Sequence, residues 1–115
     1  MVDLGVEVSK QSGTAVLTVT GEIDVATAPR LREHVVKLVG EGETRIVVDM
    51  EGVEFIDSTG LGALVGALKR VRTQGGELAI VCSRPRLLKV FEITGLVRVF
   101  EMHDTLDAAV AAGAG

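Results

Sequence analysis

The start of the chain alternates between apolar and other residues in a pattern that predicts two adjacent strands. Apolar residues at positions 2, 4, 6 and 8 are separated by Asp, Gly and Glu, and this period of two is typical of a half-buried strand. Turn residues follow at 11–13, and the segment 14–20 is rich in Val and Thr, which favour strands. We therefore expect the two segments to form an antiparallel pair.

Further along, apolar residues at helical spacing alternate with short apolar runs. A helix is expected from near Thr27, with Pro29 in its first turn, and Gly40 and Gly42 are expected to end it. The later elements are predicted to be a strand at 45–50, a helix at 61–72, a strand at 78–81, a helix from Pro85, a short strand at 97–100 and a last helix capped by Asp104. This order implies parallel strands joined by crossover helices. The run 46–48 is apolar on both faces, as in a central strand.

Length and composition narrow the class of protein. With 115 residues the chain is long enough for one domain, which we assign to residues 1–112, with a frayed tail at 113–115. The net charge of −4 and the lack of Trp and Tyr argue against nucleic-acid binding. No apolar run approaches the roughly 20 residues of a membrane span, and the acidic N-terminus is unlike a signal peptide. The single Cys82 fits a reducing compartment, so we expect a cytoplasmic protein whose oligomeric state stays open.

The segment 55–62, Phe-Ile-Asp-Ser-Thr-Gly-Leu-Gly, links a predicted strand to a predicted helix. Either Asp57 or Ser58 is a suitable N-cap, because a short side-chain oxygen accepts a hydrogen bond from an unpaired amide of the first turn. A hydroxyl therefore lies at the tip of this corner, where we expect it to be exposed.

The helix after this corner has two different faces. Its apolar stripe, which we expect to pack on the sheet, comprises Leu61, Leu64, Val65, Leu68 and Val71. The opposite side is predicted to carry Thr59, Gly62, Ala63, Gly66 and Arg70. Two interior glycines cost a helix about 2 kcal/mol relative to alanines. Two explanations stay open: the backbone of a partner approaches this side, or the small residues pack against another element of the same chain.

Enzymatic chemistry finds little support in the residues. Ser58 lies at a strand-to-helix corner, but the paired glycines of a nucleophile elbow are absent around it. The histidines, His34 and His103, lie far apart in sequence, and with one cysteine they form no cluster of metal ligands. The pair Gly60 and Gly62 resembles a fragment of a phosphate-binding loop without the Lys-Ser/Thr that completes it. We therefore expect no catalytic residue, metal or cofactor, with a nucleotide-binding module kept as an alternative.

Several short motifs together resemble one family. They are Gly21-Glu22-Ile23-Asp24, Val48-Asp49, Asp57-Ser58-Thr59-Gly60-Leu61-Gly62, Gly75-Gly76-Glu77-Leu78 and Ile93-Thr94-Gly95-Leu96. In order and spacing they closely resemble the bacterial anti-sigma factor antagonists, which are single STAS domains. The resemblance implies an α/β fold in which a small mixed sheet, here of about four to five strands, is flanked by about four helices.

The resemblance also implies a function and a set of partners. The unmodified protein would bind an anti-sigma factor that is also a serine kinase, and the sigma factor would be released. The kinase would phosphorylate the serine that matches Ser58, the complex would separate, and a serine phosphatase would restore the hydroxyl. Thr59 is the alternative acceptor. The alternative hypothesis for the function is a non-switching scaffold or accessory subunit of the same architecture.

We expect the partner to dock over Ser58 and over the small-residue side of the helix. Acidic residues of the preceding motif would lie nearby if the two loops converge. The residues expected at this surface are Glu22, Asp24, Asp57, Ser58, Thr59, Gly60, Gly62, Ala63 and Gly66.

Overall fold

The first two strands form a tight hairpin. In the computed structural model, which describes residues 3–114, β1 (Gly5–Gln11) pairs antiparallel with β2 (Thr14–Ile23). The loop consists of Ser12 and Gly13, whose φ values of 50° and 79° are those of a type I′ turn. The predicted antiparallel pair is confirmed, except that Val2 lies outside the described residues.

The other strands extend the sheet in parallel. The remaining elements are α1 (Ala28–Gly40), β3 (Arg45–Ile56), α2 (Ser58–Thr73), β4 (Glu77–Val81), α3 (Pro85–Ile93), a 3₁₀ turn (Leu96–Arg98), β5 (Glu101–His103) and α4 (Leu106–Ala114). The strand order is β1-β2-β3-β4-β5, and every pair after the first is parallel. The expected mixed sheet is confirmed, with five strands and four α-helices in residues 3–114.

The helices are divided unequally between the faces of the sheet. Helices α1, α2 and α3 pack on the face that carries Val48 and Ile80, and they form the larger core with it. Helix α4 covers the other face, where Ala109 packs against Val16 and Val47. Successive residues of a strand point to opposite faces, so an apolar run is needed where both faces are covered. The prediction of a central strand at 46–48 is confirmed, because β3 lies in the middle of the sheet.

Strand β3 is longer than predicted. We expected a strand at 45–50, but β3 continues to Ile56. Its pairing with β2 shifts register twice, first between Thr18 and Thr20 and again between Gly21 and Glu22. β-Bulges of this kind interrupt the alternation of side chains, and this interruption hid the second half of the strand. The extension carries β3 to the start of α2 without a loop.

The C-terminal part of the chain also departs from the prediction. The prediction of a strand at 97–100 is wrong: a 3₁₀ turn occupies the first half of that stretch, and the strand comes later, as β5. The last helix is capped by Thr105, whose hydroxyl accepts the N–H of Ala108 at 3.1 Å, and not by Asp104. Helix α4 extends to Ala114, past the predicted start of a frayed tail, and Gly115 lies outside the described residues.

An ion pair holds α4 and β5 to the start of β3. Arg45 donates hydrogen bonds to the Glu101 carboxylate at 3.0 and 2.6 Å and to the carbonyl oxygen of Ala109 at 2.8 Å. The His103 ring lies 2.6 Å from the same carboxylate. The hydrogen bonds from Arg45 lower the pKa of Glu101 to about 2. This end of the sheet therefore depends on an ionised Glu101.

Replacing Glu101 with Gln should lower the free energy of unfolding by about 1–2 kcal/mol at neutral pH, because charge-assisted hydrogen bonds are lost from a partly exposed pair. Folding lowers the pKa of Glu101 from 4.5 to about 2, so this stabilisation is present above 4.5 and is lost as the pH falls towards 2. Urea unfolding of wild type and variant at neutral pH and near pH 2 measures the difference, which should narrow in acid. Glu77→Gln, in an exposed pair with Arg72, is the control and should change stability by less than about 0.5 kcal/mol. An equal loss for Glu101→Gln at both pH values would contradict this account.

Candidate functional site

Asp57 organises the corner between β3 and α2. Its N–H donates to the carbonyl oxygen of Ile23, the last residue of β2, at 3.1 Å. Its side chain accepts the N–H of Gly60 at 2.8 Å, and its carbonyl oxygen accepts the N–H of Leu61 at 2.9 Å. Asp57 is therefore the N-cap of α2, which decides between the two candidates at this corner. The same residue joins the ends of two parallel strands to the start of a helix.

Gly60 allows the helix to begin directly against the sheet. A Cβ atom at this position would lie 2.6 Å from the carbonyl oxygen of Ile23 and 2.8 Å from a side-chain carbon of Ile56. Any larger residue would push the first turn of α2 away from the strand ends. Gly60 is buried, so it positions the predicted partner surface from beneath and is not itself exposed there.

The loop between β2 and α1 is closed by its own side chains. The Asp24 carboxylate accepts the N–H groups of Ala26 and Thr27 at 2.9 and 3.1 Å. The hydroxyl of Thr27 donates to the carbonyl oxygen of Glu22 at 2.8 Å and accepts the N–H of Asp24 at 2.9 Å. Asp24 therefore shapes the loop, while Glu22 leaves its carboxylate without a hydrogen-bond partner among residues 3–114. The Asp57–Ile23 hydrogen bond brings this loop beside the Ser58 corner, so the condition set for the acidic residues, that the two loops converge, is met.

Ser58 and Thr59 occupy the first two positions of α2, and both are exposed. In the described part of the chain, neither hydroxyl makes a hydrogen bond, and neither backbone N–H has an acceptor. The expectation of an exposed hydroxyl at the corner is confirmed. A modifying enzyme can reach both oxygens, and the free amides of the first turn lie beside them.

Two apolar side chains near the corner were missed by sequence reasoning. Val25 is 70% exposed in the loop between β2 and α1, and Phe55 is 48% exposed at the end of β3. The register pairs Phe55 with Glu22, so both apolar residues flank the strand ends that meet at Asp57. Val25 lies in a four-residue loop between Asp24 and Ala26, and a valine in so short a loop was a sequence signal for an exposed apolar side chain. Phe55 could not be assigned to the surface because a β-bulge sets its direction.

The small residues of α2 differ in exposure. This difference bears on the two explanations given for them, approach of a partner's backbone or packing within the chain. Gly62 and Gly66 are exposed, and a Cβ atom on either would meet nothing within 4 Å. Ala63 is only 5% exposed, so its predicted place on the open side is wrong. The reason is that α1 packs beside α2 and covers the flank on which Ala63 and Ala67 lie. The open face of α2 therefore comprises Ser58, Thr59, Gly62 and Gly66, and the exposed Arg70 continues it beyond Gly66.

The charge around the Ser58 end of this surface is negative, while Lys69 and Arg70 lie beside Gly66 at the other end. Glu22, Asp24, Glu54 and Asp57 lie on the two strand ends and the loops after them, and none has a basic partner within residues 3–114. Apolar Val25 and Phe55 lie among them. The surface therefore combines acidic groups, two exposed apolar side chains and an uncovered helix backbone, which together suit protein docking more than enclosure of a small molecule.

The histidines lie in other parts of the molecule. His34 contacts the carbonyl oxygen of Arg30 within α1 and lines a groove facing β1. His103 aligns through β4 with Asp49, seven residues before the end of β3, which places it roughly 20 Å along the sheet from Ser58. The structure therefore brings neither histidine to the serine. Within residues 3–114 no three metal-ligating side chains converge, and no helix there has both the length and the apolarity to cross a membrane.

Comparison with known proteins decides the family. The family model described as the STAS domain matches residues 5–109 of this chain. The chain belongs to the STAS domain family. The anti-sigma-B factor antagonist of Bacillus subtilis is 37% identical over 108 residues, which cover 94% of this chain and 98% of the relative. The anti-sigma-B factor antagonist of Staphylococcus aureus is 36% identical over 102 residues, covering 89% and 94%.

Solved structures agree with this assignment. The crystal structure of an anti-sigma factor antagonist from Mycobacterium paratuberculosis superposes with a TM-score of 0.87 at 31% identity, and the match covers 96% of this chain and 93% of that one. The resemblance inferred from the short motifs is thus confirmed over nearly the whole length.

Two glycines of α2 provide a matched test of the geometry at the corner. Gly60→Ala should destabilise the STAS domain by about 1–3 kcal/mol, because the new methyl group collides with backbone that must shift. Gly62→Ala should stabilise it by about 0.5–1 kcal/mol, because the site is open and alanine favours a helix. Urea unfolding measures both. Equal effects of the two substitutions would contradict the close approach described at Gly60.

Proposed function

We propose that this STAS domain is an anti-sigma factor antagonist controlled by phosphorylation of Ser58. It acts in the cytoplasm, where the unmodified form binds an anti-sigma factor that is also a serine kinase, and the sigma factor is released. Transfer of phosphate to Ser58 separates the complex, and a serine phosphatase reverses the change. The observation that carries the proposal is the exposed, unbonded Ser58 hydroxyl at the first position of α2, beside an uncovered helix face.

The proposed docking surface has the composition of a protein interface. Gly62 and Gly66 let another backbone come close to α2, since a Cβ atom on either would meet nothing within 4 Å. Phe55 and Val25 supply apolar area beside that face, where a partner that covers Ser58 would bury them. Exposed apolar residues that become buried at the centre of an interface contribute much of its binding energy. The free carboxylate of Glu22 adds a charge for a basic group of the partner.

Phosphorylation at this position is compatible with the fold. The N–H groups of Ser58 and Thr59 have no acceptor in residues 3–114, and they lie at the positive end of the dipole of α2. A phosphate at a helix N-terminus is stabilised by such amides. Because the capping bond of Asp57 goes to Gly60, it does not compete for them. We therefore expect the phosphorylated domain to stay folded, so that the effect is exerted on docking.

The phosphate opposes docking through its charge. It adds about −1.5 to −2 charges at neutral pH to a surface that already carries Glu22, Asp24 and Asp57. If the partner covers Ser58, this dianion must lose its water, and burying an unpaired charge costs several kcal/mol. Each 1.4 kcal/mol changes affinity about tenfold. A weakening of about two to three orders of magnitude is therefore expected.

Substitutions at Ser58 test this electrostatic mechanism. Ser58→Ala should bind the cognate kinase with an affinity within about threefold of wild type and should not be released by ATP, because it cannot accept phosphate. Ser58→Asp should bind at least about tenfold more weakly, since a carboxylate carries part of the charge of a phosphate. Titration calorimetry with the kinase measures the affinities. Equal affinities for wild type and Ser58→Asp would argue against a charge-controlled interface.

Phe55 tests where the interface lies. Phe55→Ala should weaken kinase binding by about ten- to a hundredfold and lower the free energy of unfolding by only about 1 kcal/mol, because half of the side chain is already exposed in the free protein. Ile93→Ala is the matched control: Ile93 is 75% exposed at the end of α3, away from the corner, and its loss should leave the affinity unchanged. If Ile93→Ala weakens binding and Phe55→Ala does not, the docking surface lies elsewhere.

The acceptor itself is identified by incubating the protein with ATP and the kinase, followed by mass spectrometry. The proposal expects one phosphate, on Ser58, and none on Ser58→Ala. Phosphate on Thr59 in the wild-type protein would move the acceptor by one residue. Stable binding without any phosphate transfer would favour a non-switching scaffold.

A further inference from the structure

The outer edge of β1 presents backbone groups that are not used in the fold. Strand β1 is the first strand of the sheet, so only its inner side is paired, with β2. The two-residue loop makes Gln11 and Thr14 a hydrogen-bonded pair, and hydrogen-bonded residues alternate along an antiparallel ladder. Residues 5, 7, 9 and 11 therefore direct their N–H and C=O groups to β2, while Val6, Val8 and Lys10 direct theirs outwards. Within residues 3–114 these outward groups have no hydrogen-bond partner.

The space beside this edge is open, and the side chain at its centre is apolar. Val8 is 51% exposed in the middle of β1. A groove of about 340 Å³ separates it from α1, with Leu38 and His34 among its lining residues. The usual deterrent to pairing at an edge is a lysine that points outwards. Here the ammonium group of Lys10 is held by Glu43 of the same chain at 2.8 Å, which leaves Val8 uncovered.

We propose that this edge pairs with the β1 strand of a second copy of the chain, antiparallel and centred on Val8, so that two sheets join into one. A two-fold axis perpendicular to the sheet relates the two strands and keeps the side chains of each on the same face. In this arrangement Val8 pairs with Val8 of the second copy, and Val6 pairs with Lys10 in both directions. All three outward-facing residues then exchange both of their hydrogen bonds across the interface.

Among the possible registers of this pairing, the one centred on Val8 gives the most favourable side-chain pairs. Pairing centred on Glu7 would place two glutamates directly opposite each other, and like charges at that position are destabilising. Pairing centred on Ser9 would match Val8 with Lys10 but would leave Val6 opposite the turn, without a partner strand. A shift by one residue would bring side chains of opposite faces together. Centring on Val8 puts the two exposed valines in contact and sets Glu7 opposite Ser9, with no like charges facing each other.

The interface is independent of the proposed docking surface. Strand β1 pairs with residues 14–20 of β2, whereas the Ser58 corner lies at the far end of β2 and beyond the end of β3. A dimer through β1 would therefore leave both Ser58 corners free. It goes beyond the proposed function, and its test requires no kinase.

Substituting proline for Val8 tests the pairing between two copies without disturbing the pairing of β1 with β2. Val8→Pro removes an outward N–H that β2 does not use, and proline is tolerated at such an edge position. Val8→Thr is the matched control, because threonine keeps the N–H and the β-branched shape. Sedimentation equilibrium over about a hundredfold range of concentration, up to about 1 mM, should show wild type and Val8→Thr approaching twice the monomer mass. Val8→Pro should dimerise at least about tenfold more weakly, with wild-type circular dichroism as the check on its fold.

Hydrogen exchange in the wild-type protein provides the second measurement and needs no substitution. The N–H groups of Val6, Val8 and Lys10 should exchange rapidly in dilute solution and more slowly at high concentration. Those of Glu7 and Ser9 should be protected at both concentrations because they are bonded to β2. A wild-type protein that stays monomeric throughout, or a dimer that Val8→Pro leaves intact and that does not protect these three amides, would overturn the proposal.

Discussion

The site depends on one contact, the approach of the first turn of α2 to the end of β2. The N–H of Asp57 bonds to the carbonyl oxygen of Ile23, and Gly60 has no Cβ atom to keep the two apart. This contact brings the loop with Glu22 and Asp24 beside the helix that starts at Ser58. Without it the hydroxyl, the acidic loop and the exposed apolar residues would not share a surface.

At this corner, the residues that stabilise the domain are different from the residues that are exposed for a partner to contact. At the corner, the Asp57 cap and the buried Gly60 carry the structure, while the exposed Ser58, Gly62 and Gly66 carry little of it. The Arg45–Glu101 ion pair lies at the opposite end of β3 and holds the sheet there. A charge added to Ser58 can therefore change binding without unfolding the domain, which is what a reversible regulatory modification requires.

Sequence patterns predicted those parts of the fold that depend on neighbours along the chain. The hairpin at Ser12 and Gly13 and the start of α3 at Pro85 are set by local backbone preferences, and both were predicted. The exposed hydroxyl followed from the position of Ser58 at a helix start. Contacts between distant segments were not predictable in the same way.

Three examples show why. The burial of Ala63 depends on which flank of α2 is covered by α1, and no pattern within α2 carries that information. The role of Gly60 depends on Ile23, thirty-seven positions earlier in the chain. The length of β3 was hidden by bulges, which also turned Phe55 to the surface.

The central claim is that the charge on Ser58 decides whether a partner docks. The most direct measurement compares the affinity for the kinase of fully phosphorylated protein, of unmodified protein, and of phosphorylated protein after phosphatase treatment. The account predicts that phosphorylation weakens binding about a hundredfold or more, that the phosphatase restores it, and that the melting temperature changes little. An affinity that is the same in all three forms would contradict it.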